Sequence, residues 1–244
     1  MGAAPAYADR LELRPEVRSF WTSVQDSPSL RDRLFGRGRR EETAVGRFTS
    51  QGGPAFVLDQ SSGQTLLRYE GSNEIWALRP TAGVRGDIYY RNDVGEVVLR
   101  ATRLGGLTLY TAASPGGLPC ALDRAASALE MPSHDIRFLL RHFMRESARA
   151  GQAISRDFEI SARGVEPEAS DIFGDTATIA VDGVVRLSQS AAGRERLTNL
   201  RTMLIVMGPA AGARRDGTTL IVTVNPRLGP AGRPSSARVM RALG

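Results

Sequence analysis

Residues 85–111 read RGDIYYRNDVGEVVLRATRLGGLTLYT, and this stretch sets the expected fold. Asn92-Asp93-Val94-Gly95 offers residues that tolerate left-handed backbone, and Gly105-Gly106 makes a two-residue turn between apolar arms. Ile88, Tyr89 and Tyr90 precede the first turn, Val97 to Leu104 lie between the two, and Leu107 to Tyr110 follow the second. Runs of β-branched and aromatic residues of this length suit a pleated, half-buried surface. Three antiparallel strands joined by two hairpins are expected.

The same period of two reaches upstream to Val45. Candidate strands at 45–50, 54–60, 64–70, 74–79, 86–91, 96–104 and 106–112 are separated by Gly52-Gly53, Ser61-Ser62-Gly63, Gly71-Ser72-Asn73 and the two turns above. Short strands at this spacing imply an antiparallel meander, barrel-like or rolled on itself. Ahead of it, residues 1–43 are expected to hold a leader and helices. Val17, Phe20, Trp21 and Val24 make one apolar stripe within 9–25, and Ser27-Pro28 starts a shorter helix carrying Leu30, Leu34 and Phe35 inward.

The fold class is α+β, with the meander at 44–113, a Pro/Gly/Ser linker at 114–119 and a small α+β domain at 120–244. In that last domain Cys120 to Glu130 is expected to form a short helix, with Leu122, Ala125, Ala126 and Leu129 on one side. Ser133 is expected to cap a longer helix whose stripe is Ile136, Leu139, Leu140, Phe143 and Met144, ending at Gly151. Ile154 to Ile160 then alternates as a strand. Residues 175–191 fit a hairpin turning at Asp182-Gly183, or a helix bearing Ala177, Val181, Val184 and Val185; we read a helix. Met203 to Val206 and Leu220 to Val224 are expected strands joined through Gly212 to Gly217, and Ser235 to Leu243 a closing helix.

Composition excludes more than it assigns. All 32 basic residues are arginine, so Schiff-base lysines, a phosphate-loop lysine and a Ser-Lys dyad are absent. One cysteine, Cys120, allows neither an internal disulfide nor a multi-thiolate metal site. Pairing Cys120 with His134 as nucleophile and base is weaker than a small buried cysteine. His134 and His142 stand eight residues apart, too far for shared ligation at the four-residue spacing of one helix. No metal, cofactor or catalytic residue is expected, and we read the chain as not an enzyme.

The beginning of the chain carries Ala6-Tyr7-Ala8 before Asp9, a small-x-small pattern like the end of an export signal. Periplasmic localisation is the expectation, with the cytoplasm as the alternative. No apolar run approaches the length of a transmembrane helix.

Charge is asymmetric. Residues 192–244 carry nine arginines and two acids, whereas 116–191 carry eight arginines and eleven acids. Within the basic segment, a glycine-rich loop at 229–234 leads into a helix N-terminus, where free N–H groups and the helix dipole favour anions. Gly232, Arg233, Ser235, Ser236 and Arg238 are the candidate anion-binding residues, facing an anionic envelope component such as phospholipid headgroups or lipopolysaccharide, or a protein partner. The competing reading is an ordinary helix cap with its arginines paired to the acidic segment. Two other functions stay open. One is a carrier holding a small apolar ligand in the meander, where Trp76, Tyr69 and Tyr110 would line the cavity; the other is a hydrolase with an unrecognised site.

Residues 85–111 and the terminal AGRPSSARVMRAL (231–243) resemble a family of uncharacterised proteins from Gram-negative, high-GC bacteria, known as a domain of unknown function. The resemblance spans nearly the whole chain. It implies no activity, ligand or catalytic residue; export is common in such families, in agreement with Ala6-Tyr7-Ala8.

Overall fold

The structure, a computed structural model, describes residues 44–244. The two helices expected within 1–43 lie outside them. Eight antiparallel strands form a closed barrel: β1 (Val45–Ser50), β2 (Phe56–Asp59), β3 (Thr65–Tyr69), β4 (Ile75–Ala82), β5 (Ile88–Arg91), β6 (Val97–Ala101), β7 (Leu107–Thr111) and β8 (Ser114–Ala125). Each pairs with the next, and β8 closes on β1 through Gly46↔Ala125 to Ser50↔Cys120. The hairpin turns fall where the sequence puts them, with Gly95 and Gly105 at φ 86° and 90°.

Strand alternation sends one set of side chains inward. Phe48 stands opposite Phe56, Phe56 opposite Tyr69, Tyr90 opposite Leu99, and Leu99 opposite Leu109. With Leu58, Leu67, Leu78 and Leu107 these fill the centre, and Phe56, Leu67, Leu99 and Leu109 have no exposed surface. An aromatic chain runs through it, Phe48 stacked on Phe56 at 5.5 Å, Phe56 edge-on to Tyr69 at 6.5 Å and Tyr69 edge-on to Trp76 at 6.3 Å.

Strand β8 corrects the sequence reading twice. The 114–119 linker and the 120–130 helix are one strand through Ala125. Leu122 and Ala125 do recur at helical spacing, but β1 and β7 would each present an unpaired edge without β8, and edge pairing outweighs a weak local propensity. Both Pro119 and Gly117 argue for a loop; Gly117 sits at φ 87° in the irregular stretch where the β7 register shifts, whereas Pro119 stands in register opposite Thr108. Outside the barrel Arg47 ties the seam, with Nε 2.7 Å from Glu70 Oε1 and Nη1 2.6 Å from Asp123 Oδ2.

The connection to the second unit is therefore 126–135. Leu129 packs on Leu66 and Ile75 of the outer wall, and its N–H donates at 2.7 Å to the buried Asp59 carboxylate. Next come α1 (Ile136–Ile154), β9 (Glu159–Arg163), α2 (Ser170–Ser188), the short α3 (Ala191–Arg196), β10 (Thr202–Met207), β11 (Gly212–Asp216), β12 (Thr219–Val224) and α4 (Ser236–Leu243). The sheet order is β11-β12-β10-β9; β10 is parallel to both β9 and β12, and β11 is an antiparallel edge. Its core joins Met203, Ile205, Leu220 and Val222 to Phe173, Ala177, Ala180, Val181 and Val184 of α2. The α+β class thus holds.

Local details differ from expectation. Asp135, not Ser133, caps α1, its side chain accepting from Arg137 N, and the helix runs past Gly151 to Ile154. The strand expected from Ile154 begins only at Glu159. The 212–217 connection contains β11. Residues 175–191 are helical through Ser188, and Gly183 is there for contact: a Cβ would lie 3.0 Å from Ser236 O and 3.2 Å from Val239 of α4. The apparent hairpin signal Asp182-Gly183 is a helix crossing.

Because the barrel centre is already filled, truncation there should leave a cavity. Phe56→Ala is expected to cost about 3–5 kcal/mol in urea unfolding, whereas removing the exposed Leu104 side chain should shift stability by less than about 0.5 kcal/mol.

Candidate functional site

The glycine-rich loop and α4 lie against the outer wall of β3 to β5. Asn225 starts the turn at 226–232, its side chain accepting from Arg227 N; its own N–H donates to Gly232 O at 2.7 Å, and the backbones are so close that a Cβ on Gly232 would sit 1.9 Å from Asn225 O. Ser235 then caps α4, its Oγ accepting from Arg238 N at 3.1 Å.

The anion chemistry expected at this helix start is present, and the anions are the chain's own. Ser236 donates to Glu74 from N at 2.7 Å and from Oγ at 2.6 Å. Ser235 donates to Asp93 from N at 2.8 Å and from Oγ at 2.6 Å. Arg186 of α2 completes the Glu74 carboxylate at 3.0 Å and also reaches Ser236 Oγ. Arg233, expected to face a partner, is 4% exposed; its Nε is ion-paired to Asp175 of α2 and its Nη2 donates at 3.1 Å to Ile75 O. Arg238 Nη1 donates to Asp93 O at 3.0 Å, and Arg241 to Val94 O at 2.7 Å.

Of the five candidate residues, Gly232, Arg233, Ser235 and Ser236 are buried and serve as a clasp between barrel and second unit; Arg238 is only partly covered. As surface ligands for an outside partner the four are corrected. The physical reason is distance in sequence: Glu74 and Asp93 lie 162 and 142 residues away, and nothing local marks them as caps. The competing reading, pairing with the acidic segment, accounts for Asp175 alone.

Beside the clasp is a cleft of about 410 Å³ between the two units. It is bordered by Arg79, Asp93, Arg233, Ser235 and Arg238, with Trp76 and Asn92 at its barrel side. Of its three arginines, Arg233 is paired with Asp175, which leaves Arg79 and Arg238 beside one carboxylate, Asp93, whose two oxygens are already taken by Ser235. Arg79, which the sequence did not single out, is exposed and stands directly opposite Arg91 on β5, an unfavourable like-charge pairing.

A second concavity, about 640 Å³, opens at the barrel end where β3, β5 and β7 finish. Tyr69, Trp76 and Tyr110 line it together, as anticipated, along with Pro54, Val97 and Val98. Burial pushes the Tyr69 phenol up to about 12, with the Cys120 and Glu74 charges adding to it, so it stays neutral there.

The reactive side chains are separate. Cys120 packs against the barrel cluster and burial pushes its thiol up to about 11, leaving no thiolate near neutrality. His134 precedes α1 rather than lying on it, and its ring comes within 4.5 Å of the His142 ring, centroid to centroid, over Gly174. Burial, then the neighbouring His142, lowers the His134 pKa. Among the described residues no three His, Cys, Asp or Glu side chains cluster to hold a metal, and no helix is long and apolar enough to cross a membrane.

A closed barrel clasped through its outer wall to a four-stranded α/β unit is the class this architecture defines. The chain belongs to the family described as a domain of unknown function, DUF4908, whose model matches residues 29–243. No curated protein and no solved structure matches the chain.

The Asp175–Arg233 pair lies wholly inside, so removing one member strands the other. Asp175→Ala is expected to cost about 3–5 kcal/mol, while the double change Asp175→Leu with Arg233→Met should recover most of it; chemical denaturation of the three chains measures the difference.

Proposed function

We propose that this is a non-catalytic binding protein that takes an anionic group of its partner into the cleft between barrel and second unit. The observation carrying the reading is the convergence of Arg79 and Arg238 on one cleft against a single, already occupied carboxylate, Asp93, while Arg233 behind them is neutralised by Asp175. Guanidinium forks bind carboxylate and phosphate oxygens bidentately, and a cleft with surplus positive charge raises the local concentration of anions. Arg233 adds no net charge, since it is paired with Asp175 and its Nη2 donates to Ile75 O; Arg79 and Arg238 supply the donors, Arg238 with its Nη1 already on Asp93 O. The setting that fits is the cell envelope, on the support of Ala6-Tyr7-Ala8, and the partner an anionic envelope component or a protein with an acidic group.

Retention on an immobilised polyanion tests this. The unaltered chain should be held and released by salt, and Arg79→Gln with Arg238→Gln should weaken binding by about tenfold or more, the loss of two charge-assisted contacts. Unchanged release, with the melting temperature also unchanged, would remove the cleft from consideration.

A second reading has its own support. The apolar concavity shared by Tyr69, Trp76 and Tyr110 has the size and lining of a small-ligand site. A native mass spectrum of the protein from its host should then show a bound apolar molecule, lost in Trp76→Ala; a clean polypeptide mass argues against it.

A further inference from the structure

Helix α1 buries Leu139, Phe143, Ala150 and Ile154 in the core and turns its other face to solvent. On that face Phe138, Leu140 and Met144 are 49%, 71% and 64% exposed. Large apolar side chains grouped in this way mark a surface that something covers. Arg137, Arg141 and Arg145 recur every fourth residue along the same face, one per turn. Arg141 lies over the Phe138 ring at 4.5 Å and Arg137 at 5.7 Å. Arg137 is paired with Asp135, but Arg141 and Arg145 form no ion pair among the described residues. Phe138, Arg141, Met144 and Arg145 together line a shallow depression of about 540 Å³.

We propose that this face of α1 docks on the headgroup region of a bilayer rich in anionic phospholipid. Apolar tips and two guanidiniums without an ion pair, Arg141 and Arg145 (its Nη2 3.5 Å from His142 Nδ1), sit within one helical turn of each other, so the occupant must offer hydrocarbon and negative charge at the same depth. An acidic protein patch meets only the arginines, and an apolar groove meets only Phe138, Leu140 and Met144. A lipid interface meets both: the apolar tips enter the acyl boundary while long arginine stems lie along it and keep their charges among phosphates. The helix would lie on the membrane and not span it, since it is not apolar enough to cross. The surface is independent of the cleft, because Arg79 and Arg238 belong to other elements.

The test is sedimentation of the full chain with vesicles of mixed phosphatidylglycerol and phosphatidylcholine, against phosphatidylcholine alone. Binding is expected to the anionic vesicles only, reduced about tenfold or more by Arg141→Glu with Arg145→Glu, and likewise by Phe138→Asp. These positions are exposed, so the variants should fold. Arg103→Gln, at an exposed arginine of the turn between β6 and β7, should bind vesicles as the parent does, and Leu140→Trp should shift its emission to the blue when anionic vesicles are added. The proposal is overturned by absence of vesicle binding, by binding indifferent to the α1 variants, or by binding lost in Arg103→Gln as well. It is equally overturned if the chain dimerises in solution and Phe138→Asp returns it to monomer, for then a second copy covers the face.

Discussion

Two carboxylates of the barrel hold the start of the last helix. Glu74 and Asp93 accept the N–H groups of Ser236 and Ser235 together with both hydroxyls, so the donors an isolated helix leaves open are satisfied by another part of the fold. A helix of eight residues is marginal alone. Here it is kept by those four bonds and by Val239 and Leu243, which lie in the second unit's core. The same contacts orient that unit on the barrel, with Arg186 paired to Glu74 and Arg233 paired to Asp175 of α2. Everything that depends on the relative placement of the two units, the cleft included, depends on them.

This arrangement redistributes what the chain can offer a partner. A helix start that could cradle phosphate is spent inside the molecule, which leaves side-chain arginines as the means of binding anions from outside. Those arginines occur in two settings of different shape. In the cleft they border a concavity between the two units; along α1 they alternate with exposed Phe138, Leu140 and Met144 around a shallow, open depression. The two settings share no residue.

Much of the architecture was legible because its signals are local. Turn residues such as Asn92-Asp93-Val94-Gly95 and Gly105-Gly106 specify hairpins through their own backbone preferences, and period-two runs specify which side chains face inward. Helical spacing in 175–191 proved a better guide than Asp182-Gly183, whose glycine makes room for α4. Strand β8 was misread because its helical spacing is genuine; only β1 and β7, more than sixty residues apart at Val45 and Leu107, show that a strand is needed there. The candidate site was half legible. The affinity of the 229–236 segment for anions follows from its glycines, serines and position at a helix start, but the identity of the anion does not.

By itself, then, the sequence determined an antiparallel β part followed by an α+β part, a lysine-free basic surface chemistry and an anion-seeking segment near the end. Tertiary structure decided that the β part closes, that Glu74, Asp93 and Asp175 are the anions that segment receives, and that Arg79 joins Arg238 at one cleft. The division has a physical cause. Backbone propensity and hydrophobic period act between near neighbours, whereas edge closure and the pairing of buried charge are satisfied only when distant parts of the chain have been brought together.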